Sequence, residues 1–294
     1  MLPVQHLVVA GVRTVVYDSA PQAGGEAVVF VHGNPGPSDD WEQLTPAIAA
    51  FARTIAMDLP GYGRAEHPYN FDYTVEGYAG YLALLLEQLG VTRAHLVLHD
   101  FGGPFGLAWA AAHPEQFASV TLINTGLLVG FKWHKYARIW QTPVLGELFQ
   151  ASATLRLFKA ALQRDNPRPL PEGFAERIMS YADWPHKRAV LKLYRASRDL
   201  GAQLARYLPL AKDIDRPACV IWGAEDPFVP VRFADQQREV FPRAEVHKLP
   251  GLGHWPFIDD PQAVLAAMVP FLRAQVGTDT KSQSGRVRPH GTAR

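Results

Sequence analysis

The chain has 294 residues, 48% of them hydrophobic and 19% charged, with a formal net charge of +1. That length suits one large α/β domain or two modest ones with a substantial core, and the balanced charge gives no electrostatic reason to expect nucleic acid or an anionic membrane as partner. No apolar run approaches the roughly 18 residues of a membrane helix, no signal-peptide pattern opens the chain, and the lone Cys219 offers no disulfide framework. The expectation is therefore a water-soluble, cytoplasmic protein.

Val4–Val9 and Val12–Tyr17 alternate around Gly11 and predict a hairpin. Ala27–Val31 is a short strand running into His32-Gly33-Asn34-Pro35-Gly36. Trp41–Phe51 has helical spacing, and Arg53–Met57 returns as a strand ending in Asp58-Leu59-Pro60-Gly61-Tyr62-Gly63. Thr74–Leu89 predicts an amphipathic helix closed by Gly90. Leu96-Val97-Leu98-His99 then ends abruptly at Asp100, and Gly102-Gly103 opens a helix to Ala112, followed by a strand at Val120–Asn124. Between about 127 and 208 strand candidates disappear in favour of aromatic, basic and proline-containing helical pieces. Strands resume at Pro217–Trp222 and Ala244–Leu249, with helices near Phe233–Val240 and Ala263–Gln275.

Strands alternating with helices predict a mostly parallel sheet with helices on both faces. Residues 1–126 and 209–276 form the expected core domain, 127–208 a helical cap inserted after the sixth strand, and the polar, basic 277–294 a disordered tail.

Strand, sharp turn and helix around Asp100 have the shape of a nucleophile elbow, which lifts one side chain above the sheet at a helix N-terminus. Asp226 follows the strand ending at Trp222, and His254 follows the next one, in Gly251-Leu252-Gly253-His254-Trp255. In a parallel sheet the loops after the strands gather on one edge, so the three can converge as nucleophile, acid and base. Singly, each has a plainer explanation, as helix cap, turn residue or packed histidine. Their joint placement is what argues for a site. His99 adjoins Asp100 but should point the opposite way along the strand. After the first parallel strand, the glycine turn exposes backbone N–H groups; Pro35 has none, which narrows the choice, and Asn34 and Phe101 are the expected oxyanion-hole donors.

These motifs resemble the α/β-hydrolases with an aspartate nucleophile, among them epoxide hydrolases and haloalkane and fluoroacetate dehalogenases. The resemblance spans about residues 5–275 and rests on His-Gly-x-Pro, His-Asp-x-Gly-Gly, Trp-Gly-x-x-Asp and Gly-His-Trp, with Leu98 where the common elbow has glycine. An ionised aspartate needs no base to attack, and at an sp³ carbon it forms a stable alkyl ester that His254, oriented by Asp226, hydrolyses with water. No metal or organic cofactor is required. The expected substrate is a small apolar organic molecule; oligomeric state is not readable.

The resemblance also implies how the leaving group is met. Asn34 matches the halide-binding asparagine of haloalkane dehalogenases, but their second donor is a tryptophan directly after the nucleophile, where this chain has Phe101; fluoroacetate dehalogenases carry arginine there. Tyr194-Arg195-Ala196 resembles the cap motif bearing the ring-opening tyrosine of epoxide hydrolases, with Trp133, His134 and Tyr136 in the region of its second donor. Epoxide hydrolysis is the preferred expectation, haloalkane dehalogenation the alternative, and an inactive ligand-binding relative the third. Any of these cap aromatics could also serve only in packing.

Overall fold

The computed structural model describes residues 4–277, so the expected tail lies outside the described residues apart from Gly277, whose N–H donates to Glu26. Eight strands, β1 (Gln5–Val9), β2 (Val12–Asp18), β3 (Glu26–Val31), β4 (Thr54–Met57), β5 (Arg93–His99), β6 (Phe117–Ile123), β7 (Ala218–Gly223) and β8 (Glu245–Leu249), form one sheet in the order β1-β2-β4-β3-β5-β6-β7-β8. The β1–β2 hairpin is antiparallel, as is β2 against β4, and every later pair is parallel. This is the mostly parallel sheet expected from the alternation of strands and helices, in the α/β-hydrolase architecture that the motif resemblance implied.

Helices cover both faces. Between the strands lie α1 (Thr45–Ala49), α2 (Val75–Gln88) and α3 (Gly102–Ala112). Seven helices follow β6: α4 (Lys135–Gln141), α5 (Leu145–Ser152), α6 (Leu155–Asp165), α7 (Phe174–Ser180), α8 (Trp184–Ala196), α9 (Leu200–Ala205) and α10 (Leu208–Ile214). α11 (Arg232–Gln236), α12 (Pro256–Asp259) and α13 (Pro261–Gln275) complete the chain. The inserted helices run to Ile214, a little past the expected boundary.

Alternation along the central strands sorts side chains by face. Val29, Val31, Leu96 and Leu98 pack with Tyr78 and Phe105 on one side; Val28, Phe30 and Val97 pack with Trp41 and Phe257 on the other. Two helical expectations shorten. Trp41–Phe51 is not one helix: a 3₁₀ turn at Ser38–Trp41 precedes α1, where Pro46 sits in the first turn, the one place in a helix that loses nothing by a missing N–H. Phe233–Val240 becomes α11 followed by a 3₁₀ turn at Gln237–Glu239, with the buried Gln237 amide bonded to Leu127 and Phe233.

Candidate active site

β5 ends at His99, and Asp100 takes the left-handed conformation, φ 50°, before α3 begins. Aspartate tolerates this region better than most residues, and the Thr125 hydroxyl, donating to the Asp100 carbonyl, helps hold the bend. The two following glycines are needed for room. A methyl on Gly102 would come within 2.1 Å of the Val31 carbonyl oxygen, and one on Gly103 within 2.0 Å of Thr125 Oγ1. The start of α3 is thus pressed against the end of β3 and the loop after β6, leaving the Asp100 carboxylate near a helix N-terminus, where its charge is favoured.

The loop after β3 meets that carboxylate. The Asn34 backbone N–H donates to Asp100 Oδ1 at 2.8 Å. A methyl on Gly33 would lie 2.3 Å from the same oxygen and 2.5 Å from the Phe101 nitrogen, so the glycine keeps open the space beside Oδ1 and the second expected oxyanion-hole nitrogen. His32 fixes the loop: its Nδ1–H donates to the Gly33 carbonyl at 2.8 Å, and its Nε2 accepts the Leu59 N–H at 3.0 Å.

His254 stands on the other carboxylate oxygen. Its Nε2 is 3.5 Å from Asp100 Oδ2, and its Nδ1 is 2.7 Å from Asp226 Oδ2. Asp226 is itself held by the Phe228 and Val229 N–H groups on Oδ1 (2.7 and 2.9 Å) and by the Asn124 amide on Oδ2 (2.7 Å). The three residues named from sequence therefore converge. Burial would push the Asp100 carboxyl up, but the His254 hydrogen bond and charge hold it below the usual range. Burial would push His254 down, but the charge of Asp226 and the Asp100 hydrogen bond carry it well above the usual imidazole value.

One supporting residue escaped the sequence reading. Asn124, also left-handed at φ 49°, directly follows β6, donates to Asp226 and accepts the Gly223 N–H at 3.0 Å. Its signal was a polar residue at the end of a strand whose neighbours all end in the site. His99 does point away from Asp100. Buried against Trp41 and Phe257, it donates Nε2–H to the His254 carbonyl at 2.8 Å and so steadies that loop.

Above the carboxylate lies a cavity of about 220 Å³ walled by Trp140, Phe149, Leu157, Phe158, Met179 and Val190 from the inserted helices. The four expected cap donors differ sharply there. Tyr194 is 2% exposed, lines the cavity and accepts the Asn34 Nδ2–H at 3.2 Å, with no acceptor taking its own O–H among the described residues. His134 also lines it. As N-cap of α4 its Nδ1 accepts the Ala137 N–H at 3.3 Å, and burial lowers its pKa to about 4, so its proton sits on Nε2. Tyr136 contributes its ring, but its hydroxyl is engaged by Asp165 and Arg164. Trp133 does not line the cavity and donates its N–H to the Ser197 carbonyl at 2.7 Å, packing on Phe101 and Tyr194.

His186 ties the inserted α8 to the loop after β4, donating Nδ1–H to the Gly61 carbonyl at 2.9 Å. Burial lowers its pKa to about 4. A histidine depressed below its unfolded value of about 6.5 supports the fold above that pH, and its contribution is lost as pH falls toward 4. His186→Gln keeps a donor without the titration. Urea unfolding across this window is therefore expected to show the variant losing less stability than wild type, by about 1.4 kcal/mol per pH unit. Parallel curves would refute the assignment.

Residues 26–261 match the family model for the alpha/beta hydrolase fold, and the chain belongs to that family. Within it, the chain is 26% identical to a cis-3-alkyl-4-alkyloxetan-2-one decarboxylase of Shewanella oneidensis, over 90% of this chain and 86% of that protein. Among solved structures, the epoxide hydrolase CorEH superposes with a TM-score of 0.78 at 19% identity, covering 93% of this chain and 99% of that one. The haloalkane dehalogenase DatA from Agrobacterium tumefaciens C58 gives 0.79 at 20% identity, covering 92% and 96%.

Proposed function

We propose that the protein is an epoxide hydrolase that opens its substrate to a diol through an alkyl ester on Asp100. The observation that carries this reading is the free O–H of Tyr194, buried beside Asn34 on the cavity wall above the elbow. Burial and the Asp100 charge raise its pKa well above the ordinary phenol value, so it stays protonated until a stronger base appears. An epoxide alkoxide is such a base.

Asp100 Oδ2, on the His254 side, attacks a ring carbon as the ring C–O bond breaks, and the ring oxygen takes the Tyr194 proton. His134 Nε2–H supplies a second hydrogen bond to that oxygen. Oδ1 remains with the Asn34 N–H and becomes the carbonyl oxygen of the ester, already in position for the next step. Alkylation removes one of the charges that hold the His254 proton, so the imidazolium returns a proton to the Tyr194 phenolate and becomes a base. It then takes a proton from water, and the hydroxide adds to the Asp100 carboxyl carbon. Collapse expels the second diol oxygen, which takes the proton of the nascent carboxylic acid. His254 is left as the imidazolium from which the cycle began.

Dehalogenation is the second reading, favoured by the Asn34 amide, whose remaining N–H could meet a halide. Phe101 has no side-chain N–H to assist it, whereas a halide needs no proton at all. Tyr194→Phe separates the two. Diol formation should fall by about a hundredfold or more, while bromide release from a matched bromoalkane should barely change. An unaltered epoxide rate would refute the role given to Tyr194.

A further inference from the structure

The cavity holds a polar group that the reaction above leaves unused. Gln150, from α5, lines the wall and is 8% exposed, and its side-chain amide forms no hydrogen bond among the described residues. Several other polar groups of the lining are engaged by protein, while the Tyr194 O–H and His134 Nε2–H serve the reaction and the Trp140 Nε1–H has no partner among the described residues. Asn34 meets Tyr194, Tyr136 meets Asp165, His186 meets Gly61, and Ser152 donates to the Phe149 carbonyl. Gln150 shares the cavity wall with Phe149, Leu157 and Phe158, and neither its donors nor its acceptor are used among the described residues. An unpartnered amide on a largely apolar wall is a polar group open to a ligand, and leucine would line the same place if packing were its only role. Nor does the helix need it: α5 is fastened to α8 by Glu147 and Arg195, one turn away.

We propose that Gln150 reads the substrate: away from its epoxide ring the molecule carries a neutral oxygen function, such as a ketone, that hydrogen-bonds this amide. The group is neutral because a carboxylate brought onto this apolar wall would lose most of its hydration, and the lysine of the lining, Lys187, stays half in solvent. Gln150 thereby sets which substrates bind, not how fast the ring opens. The choice of an epoxide as probe rests on the function proposed above.

The test compares the terminal epoxide of decane with isomers carrying one ketone at successive chain positions. In the wild-type protein, one ketone position is expected to lower KM about tenfold with little change in kcat, and Gln150→Leu should level the series. The same comparison of unreactive decanones with decane, by fluorescence of Trp140 on the cavity wall, reads binding alone. If that tenfold gap appears and Gln150→Leu removes it while no epoxide is turned over, the substrate-reading role stands and the epoxide reading fails. Equal binding of alkane and every ketone by the wild-type protein would overturn the proposal. So would a preference for a terminal carboxylate that Lys187→Met removes and Gln150→Leu does not, since half-buried Lys187 also lines the cavity.

Discussion

His254→Gln is expected to reduce turnover by about 10⁴-fold or more while leaving the first covalent step running, so that the protein accumulates with substrate esterified to Asp100. The two halves of the proposed reaction make different demands. Asp100 attacks as an anion and needs no base, whereas ester hydrolysis needs a group to take a proton from water, and glutamine cannot. Intact-protein mass spectrometry should show one substrate mass added per chain, and peptide mapping should place it on Asp100. The variant also carries a pH signature. His254 is what holds the Asp100 carboxyl low against the effect of burial, so without it the pKa of Asp100 rises. Trapping should therefore slow as pH falls, in a range where wild-type Asp100 is still fully ionised. Normal turnover by His254→Gln, with no adduct, would sink the mechanism.

The elbow and its partners were legible because their requirements are local. A strand, an acid and two glycines in a row describe a bend that packs against β3 and the loop after β6, and the methyl clashes at Gly102 and Gly103 express that packing directly. The break in the expected Trp41–Phe51 helix was also within reach, since Pro46 restricts where a helix can start. The cap donors were not separable, because what decides them is distant in sequence. Trp133 is occupied by a carbonyl from residue 197, and Tyr136 by a carboxylate from residue 165. Residue type gives the capacity to donate; only the fold says whether that capacity has been used. Gln150 shows the converse. Nothing in Leu-Phe-Gln-Ala marks it, and its interest comes from the partners it lacks once the helices close around it.

Asp100→Asn tests the other end of the mechanism, and its expected effect is the largest: a loss of about 10⁵-fold in turnover, in the range found when a covalent nucleophile is removed. The replacement is nearly isosteric, and asparagine accepts the left-handed conformation at this position, so the elbow should survive. Its side-chain oxygen would still accept the Asn34 N–H, which places the amide nitrogen toward His254. What disappears is the charge that attacks carbon. With the wild-type protein in excess over a candidate epoxide in heavy-oxygen water, the label should enter the Asp100 carboxylate, because water attacks the carboxyl carbon and, in a single turnover, the diol oxygen released from the ester comes from the protein. A protein that only binds ligand would show no label, and direct attack of water on the substrate would label the diol alone. The variant also changes His254. Asp226 and Asp100 together keep its proton on against burial, so an NMR titration of its imidazole in Asp100→Asn should give a lower pKa than in wild type. The same neutralisation occurs transiently whenever Asp100 is alkylated. A fall in the variant would support the idea that the ester itself converts His254 from a cation into the base that hydrolyses it, whereas an unchanged value would require a different trigger for that step.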